Sequence, residues 1–133
     1  MVRKGMSEHP WTCNLSYFMI YRTMDKIDAL AALSALGHEA RLEIFRFLVR
    51  AAPDGKHAGD VASHLDIRAN TLSAHLMVLT NAGLIAGERE GRHIRYRANL
   101  DAMRGLMAFM LEDCCGGSPD LCRPILDELV CRC

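Results

Sequence analysis

The chain has 133 residues, half of them hydrophobic, and its 16 basic and 16 acidic side chains cancel at neutral pH. This length predicts a single domain with a core of its own, and a net charge of zero argues against a bulk electrostatic polymer binder. Since no apolar run approaches the ~18 residues that a membrane helix needs, the sequence predicts no membrane partner.

The first 24 residues differ from the rest of the chain. They hold the only tryptophan and show no clear period, so we interpret them as an N-terminal extension. Glu8, Pro10 and Asn14 interrupt the apolar character that a signal peptide requires, and no small-residue cleavage site follows. A cytoplasmic protein is therefore expected, and clustered cysteines in the cytoplasm indicate metal or redox chemistry rather than disulfides.

Two helices are predicted over residues 24–37 and 38–51, because apolar residues recur there at helical spacing. Gly37 ends the first, whose large apolar side chains share one side: Ile27, Leu30 and Leu33. The second has a comparable row that is expected to pack: Leu42, Phe45, Leu48 and Val49.

After a predicted loop, "APDGK", two further helices are expected. The short segment "HAGDVASHL" is predicted to pack Ala58, Val61 and Leu65, and "NTLSAHLMVLTNAGL" is a helix ended by Gly83. The core stripe of this fourth helix is expected to be Leu72, Leu76 and Leu79.

The period then changes from helical to two. In "HIRYRA" the residues Ile94, Tyr96 and Ala98 alternate with His93, Arg95 and Arg97. With "LIAGER" before it and "EGR" as the turn, this pattern predicts a β-hairpin.

A last helix is predicted over "NLDAMRGLMAFMLEDCC", and "GGSP" breaks it. Residues 121–133 are expected to add one short helical piece. The last helix carries an apolar stripe made of Leu100, Met103, Leu106, Met107, Met110 and Leu111.

Two short helices joined by a tight turn and followed by an arginine-bearing hairpin predict a winged helix-turn-helix. The fold class is α+β, mainly α, with five helices plus the hairpin wing. The outward residues of the fourth helix are small and polar, as an element that enters a DNA major groove requires, and the hairpin arginines can reach phosphates or a minor groove. The predicted DNA-binding residues are Arg68, Asn70, Thr71, Ser73, Ala74, His75, Arg89, Arg92, Arg95 and Arg97.

Three segments, "LGHEARLEIFRFL", "LSAHLMVLTNAGLI" and "EGRHIRYRA", resemble the ArsR/SmtB family of metal-responsive repressors. The resemblance covers residues 25–113, between the extension and a cysteine-containing tail at 114–133. It implies a homodimeric repressor of double-stranded operator DNA, whose first and last domain helices form the dimer interface, and no enzymatic activity. The interface residues that it implies are Ile27, Leu30, Met103, Leu106, Met107 and Met110.

Cys114, Cys115 and Cys122 form a cluster that can be a staple, a nucleophile or a soft-ion site. Adjacent cysteines bridge only through a strained ring, and the neighbouring Glu112 and Asp113 disfavour the thiolate that a nucleophile needs. Three thiolates without a histidine suit trivalent arsenic or antimony. Structural zinc wants a fourth ligand, which Cys131 or Cys133 can supply, so zinc, cadmium and lead stay open.

The segment "EDCCGG…LC" also resembles the arsenic-responsive members whose cysteines lie at the end of the dimerisation helix. That resemblance implies an arsenite-responsive repressor, with As(III) or Sb(III) as effector at the three cysteines and a role in arsenical resistance. Cys13, Cys131 and Cys133 have no clear counterpart. The alternatives are a persulfide or redox sensor, a zinc- or cadmium-responsive repressor, a constitutive DNA-binding protein with structural zinc, and a thiol enzyme such as an arsenate reductase.

Overall fold

A computed structural model describes residues 24–112 and 119–131 of the chain. In these two ranges the chain forms six helices and one small antiparallel sheet. The helices are α1 (Lys26–Leu36), α2 (Glu39–Arg50), α3 (Ala58–Leu65), α4 (Ala69–Asn81), α5 (Leu100–Leu111) and α6 (Pro119–Cys131). The strands are β1 (Lys56–His57), β2 (Ile85–Glu90) and β3 (His93–Ala98).

Polar side chains fix where α1 and α5 begin. The carboxylate of Asp25 accepts a hydrogen bond from the backbone N–H of Asp28 at 2.8 Å, and the amide oxygen of Asn99 accepts one from Ala102 at 3.1 Å. Each satisfies a donor that the first turn of a helix leaves without an intrahelical partner, which stabilises the helix by ~1 kcal/mol.

The core lies where α1, α2, α4 and the base of the wing meet. The predicted stripe of α4 is confirmed, because Leu72, Leu76 and Leu79 are all buried. On α1 the buried residues are Ala29, Ala32 and Ala35, and Leu36 packs against the core, whereas Ile27, Leu30 and Leu33 are exposed. Small side chains let a helix approach its neighbours closely, which leaves the larger ones available to a partner.

Of the four α2 residues that were predicted to pack, two are buried. Phe45 and Leu48 are buried together with Ile44, which the sequence analysis did not single out. Leu42 and Val49 are 40% and 37% exposed, so their placement in the core was wrong. Leu42 and Val49 lie on the same side of the helix, at one edge of its buried face. Ile44 lies at the opposite edge of that face, on the other side of Phe45.

The wing hairpin, β2 and β3, belongs to a three-stranded sheet in the order β1–β3–β2. The predicted hairpin of β2 and β3 is confirmed, with Ile85 opposite Ala98 and Glu90 opposite His93. β1 was not predicted: Lys56 was assigned to the loop and His57 to the third helix, and two residues are too few to show a period of two. It pairs Lys56 with Tyr96 and so ties the loop after α2 to the wing.

The short helical piece expected near the C-terminal end of the sequence is α6, which is 13 residues long and begins two residues earlier than expected. Its first residue is Pro119, a favoured helix-start residue because proline lacks the N–H that a first turn leaves unpaired. None of the helices in the two described ranges combines the length and apolar character that crossing a bilayer requires. With α3 and α4 as its helix pair and the hairpin as its wing, the fold is a winged helix-turn-helix.

Candidate nucleic-acid interface

The outward face of α4 is small, polar and exposed. Asn70, Thr71, Ser73 and Ala74 are exposed as predicted, and the opposite side of the helix is held in the core by its leucines. No Asp, Glu, Lys or Arg occurs between Ala69 and Asn81. A helix with this surface can approach base edges without a charge that repels phosphates or must be desolvated.

Met77 also belongs to the outward face of α4, and the sequence analysis missed it. Its position seven residues after Asn70 and three after Ala74 puts it on the same side as both, and it is 65% exposed. The signal was present in the sequence, because Met77 is almost opposite the leucine stripe on a helical wheel.

His75 lies on the flank of α4 and packs within the protein. It is half-buried, and its ring is tilted against that of His38 with the centroids 4.8 Å apart. Burial lowers the pKa of His75, and His38 and Arg41 lower it further. His38 in turn caps α2, since its Nδ1 accepts the backbone N–H of Ala40 at 3.2 Å. His75 therefore packs at the junction between α2 and α4, and its predicted contact with DNA stays a prediction.

Three of the predicted arginines are exposed at the edges of this surface. Arg68 is the N-cap residue of α4, Arg89 is on β2, and Arg92 is in the turn of the wing. A positive helix N-terminus beside Arg68 adds to the local attraction for phosphate. These three exposed side chains, one at the start of α4 and two on the wing, can offer positive charge to phosphates.

The other two wing arginines are held by ion pairs. Arg95 Nε donates to Glu90 Oε1 at 2.8 Å, and Arg97 Nη1 donates to Glu88 Oε2 at 2.5 Å. Arg95 Nη1 also lies 3.5 Å from the backbone oxygen of Asp54. Both arginines are half-buried, so they have less charge to offer a phosphate than Arg89 and Arg92.

Glu90 links the wing to β1. The Nε2 atom of His57 lies 2.8 Å from Glu90 Oε2, so the carboxylate has partners on both oxygens. The hydrogen bonds from Arg95 and then from His57 lower the pKa of Glu90 to about 2. The carboxylate therefore stays charged and helps to orient the wing relative to the helix pair.

A second surface is apolar and spans α1 and α5, two helices in contact. Ile27 is 79% exposed, and Leu30, Met107 and Met110 are exposed as well. The predicted interface residue Leu106 is only 3% exposed and lies in the core of the protomer itself, so its placement on this surface is corrected. Met103 is half-buried and packs against the core. We call the set Ile27, Leu30, Met107 and Met110 the α1–α5 surface.

The predicted metal ligands fall mostly outside the described residues. Cys114 and Cys115 are in 113–118, which are not described, and of Cys122 only its position in the first turn of α6 is described. In the described ranges no group of three or more His, Cys, Asp or Glu side chains is placed to hold a metal ion. The three-cysteine site stays a prediction.

The chain is similar to known DNA-binding regulators. Residues 36–88, from the end of α1 into β2, match a family model described as a helix-turn-helix domain. The transcriptional repressor SdpR of Bacillus subtilis (strain 168) is 34% identical over 64 residues, which span 48% of this chain and 71% of SdpR.

Two solved structures resemble the fold at 26% sequence identity. The first, an ArsR-like transcriptional regulator from Rhodococcus sp. RHA1, has a TM-score of 0.56 over 77% of this chain and 92% of its own. The second, HlyU from Vibrio cholerae N16961, has a TM-score of 0.52 over 63% of this chain and 91% of its own. Both likenesses agree with the arrangement of helix pair and wing described above.

Proposed function

The chain belongs to the ArsR/SmtB family of winged helix-turn-helix transcriptional regulators, and we propose that it is a homodimeric repressor that trivalent arsenic releases from operator DNA. The DNA-binding part of this proposal is supported by one arrangement above all. The outward face of α4 is exposed and carries no Asp, Glu, Lys or Arg, and three exposed arginines are free of intramolecular ion pairs in the described structure: Arg68 at the start of α4, and Arg89 and Arg92 on the wing.

The α1–α5 surface supports the homodimer. It places four large apolar side chains in water on two adjacent helices, and monomeric soluble proteins rarely expose contiguous apolar patches beyond a few hundred Å². A two-fold dimer buries the same patch of both subunits at once. The two α4 helices of such a dimer would meet successive major grooves of a palindromic operator.

The position of the cysteines supports a thiophilic effector. Cys114 and Cys115 come three and four residues after Leu111, the last residue of α5, and Cys122 is in the first turn of α6. Three thiolates are a donor set suited to trivalent arsenic or antimony. A ligand shared by these residues would connect α6 to the end of the helix that carries Met107 and Met110.

Coupling between the two sites follows from that connection. A change at the end of α5 acts on the α1–α5 surface and hence on the relative orientation of the two α4 helices in the dimer. A coupling free energy of ~1–3 kcal/mol, or 5- to 150-fold in DNA affinity, is usual for allosteric proteins and suffices for derepression.

Fluorescence anisotropy of the reduced protein on its own promoter DNA tests this proposal, with arsenite as titrant and zinc and a polysulfide in parallel. Near-stoichiometric arsenite is expected to release the DNA, and Cys115→Ser is expected to abolish this response while leaving DNA affinity unchanged. The matched control is Cys13→Ser, which removes a thiol outside the cluster.

The other outcomes separate the alternatives. Release by the polysulfide alone makes the cysteines a redox switch, and release by zinc alone makes the protein a zinc sensor. Arsenite-induced release that survives Cys115→Ser contradicts the three-cysteine site. A protein that binds no promoter DNA is not a repressor of that promoter.

A further inference from the structure

Met77 is a large apolar side chain at the centre of a surface that otherwise carries small polar groups. On a helix of about 100° per residue, Asn70, Ala74 and Met77 share one face, and Met77 is more exposed than Val78, its neighbour on the flank. Burying a methionine is favourable relative to leaving it in water. Met77 therefore offers apolar area to a partner of the outward face of α4.

Packing within the chain does not provide one. The core side of α4 is occupied by its leucines, the flank toward α2 by His75 against His38, and the other flank by Thr80, whose hydroxyl donates to Leu76 O at 2.7 Å. Met77 lies roughly 160° around the helix from His75. A partner helix that reached the α2 side of α4 would not cover it.

The chemistry of the outward face limits what it can recognise in a major groove. Bidentate contacts to guanine need arginine or lysine, and the cytosine amino group needs an acidic acceptor; α4 has neither between Ala69 and Asn81. Asn70 can form the bidentate amide pair with adenine, and the apolar group that a base pair presents in the major groove is the thymine methyl. Ala74 and Met77, three residues and about 4.5 Å apart along the axis, match that group.

We propose that Met77, together with Ala74, contacts thymine methyl groups, so that the middle of α4 selects A·T base pairs within each half-site. Arg68, at the N-terminal edge of α4, can form the bidentate contact with a guanine. This inference rests on the proposed DNA-binding function and adds the class of base that the helix recognises.

Selection from a random duplex library by the wild-type dimer, followed by binding at fixed salt, provides the test. The enriched duplexes are expected to hold A·T pairs at the central half-site positions. Replacing thymine by deoxyuridine there removes only the methyl group, and wild-type affinity is expected to fall about fourfold per contact, the value for burying one methyl group.

Variants of α4 assign the effect to Met77. Met77→Ala is expected to bind the thymine and uracil duplexes with nearly equal affinity, whereas Met77→Leu, which keeps an apolar side chain, retains most of the discrimination. The matched control Val78→Ala, next to Met77 but on the flank, keeps the full fourfold difference. Circular dichroism and thermal melting confirm that each variant is folded.

The results that would contradict methyl recognition by Met77 differ from those that would contradict the proposed repressor function. Tight binding with equal affinity for thymine and uracil duplexes, or enrichment of G·C pairs at the centre, rejects the role of Met77 and leaves DNA binding intact. Equal losses for Met77→Ala on both duplexes reject methyl recognition. Absence of any enriched duplex rejects the proposed function itself.

Discussion

Arg95 and Glu90 face each other across the wing hairpin, where Arg95 Nε lies 2.8 Å from Glu90 Oε1. His57 contacts the other oxygen of the same carboxylate, so Glu90, on β2, links β1 and β3. This arrangement divides the wing arginines into two kinds. Arg92, in the turn, is exposed, whereas Arg95, on β3, forms an ion pair with Glu90.

The first prediction concerns the salt dependence of DNA binding. Arg92→Ala is expected to weaken binding to all duplexes alike and to reduce the slope of log K against log salt by about one, because one phosphate contact is lost. Arg95→Ala is expected to change the slope less, since its charge is already balanced by Glu90. The measurement is anisotropy at four or more salt concentrations.

Arg104→Ala, on α5 and paired with Asp101, is the control of equal charge and is expected to leave the slope unchanged. Equal reductions for Arg92→Ala and Arg95→Ala would contradict the division of the wing arginines. They would mean that the Glu90 pair opens when the wing meets DNA.

The second prediction is a pH dependence of stability that Glu90 contributes. Its pKa of about 2 in the folded protein lies below the ordinary value of 4.5, because Arg95 and His57 hold the carboxylate. The unfolded chain therefore takes up this proton first, and the stabilisation is present above pH ~4.5 and lost as the pH falls toward about 2. Thermal melting of Glu90→Gln is expected to differ from wild type at pH 7 and to converge with it only as the pH approaches about 2.

A double-mutant cycle identifies the cause. In an Arg95→Ala background the same Glu90→Gln change is expected to have a smaller effect, because the first cause of the lowered pKa is gone. If Glu90→Gln had an equal effect in both backgrounds, the ion pair would contribute nothing to the fold.

The sequence predicts the buried face of an element when only one of its faces is apolar, and it fails when two faces are. α4 has one apolar stripe, so Leu72, Leu76 and Leu79 could be assigned to the core. α1 has two, and periodicity alone cannot tell its buried alanines from exposed residues such as Ile27. β1 is too short for any period, and the contact between His75 and His38 joins residues of two helices, which no local pattern encodes.

The third prediction concerns His75, whose pKa is lowered chiefly by burial and further by His38 and Arg41. Because the pKa of His75 is lower in the folded protein than in the unfolded chain, the unfolded chain binds the proton more readily. The free energy of unfolding therefore falls as the pH drops through about 6.5. A proton NMR titration is expected to place the midpoint of His75 below 6.5. His38→Asn keeps an N-cap acceptor and should raise that midpoint without restoring it fully, because burial remains. An unchanged midpoint would show that the two rings do not interact.

The fourth prediction compares two glycines with the same backbone conformation. Gly55 has φ +76° and Gly83 has φ +74°. A Cβ at Gly83 meets open space, so Gly83→Ala should cost only the left-handed penalty of ~1–2 kcal/mol. A Cβ at Gly55 meets the backbone oxygen of Tyr96 and lies 2.6 Å from Arg97 Cγ. Gly55→Ala should therefore be clearly more destabilising in urea unfolding, and equal costs would mean that β1 can move away from the wing.

The last prediction concerns the α1–α5 surface. Ile27→Glu places a charge among the exposed apolar side chains, where a partner subunit would have to desolvate it without a paired cation, so the dimer is expected to dissociate. Sedimentation velocity measures the change directly, and DNA affinity should fall with it because a monomer reaches only one half-site. Ile94→Glu, at an apolar position exposed on the wing, is the matched control and should remain dimeric. A dimer that persisted in Ile27→Glu would assign the interface to a different surface and would remove the route by which the end of α5 is proposed to act on the DNA.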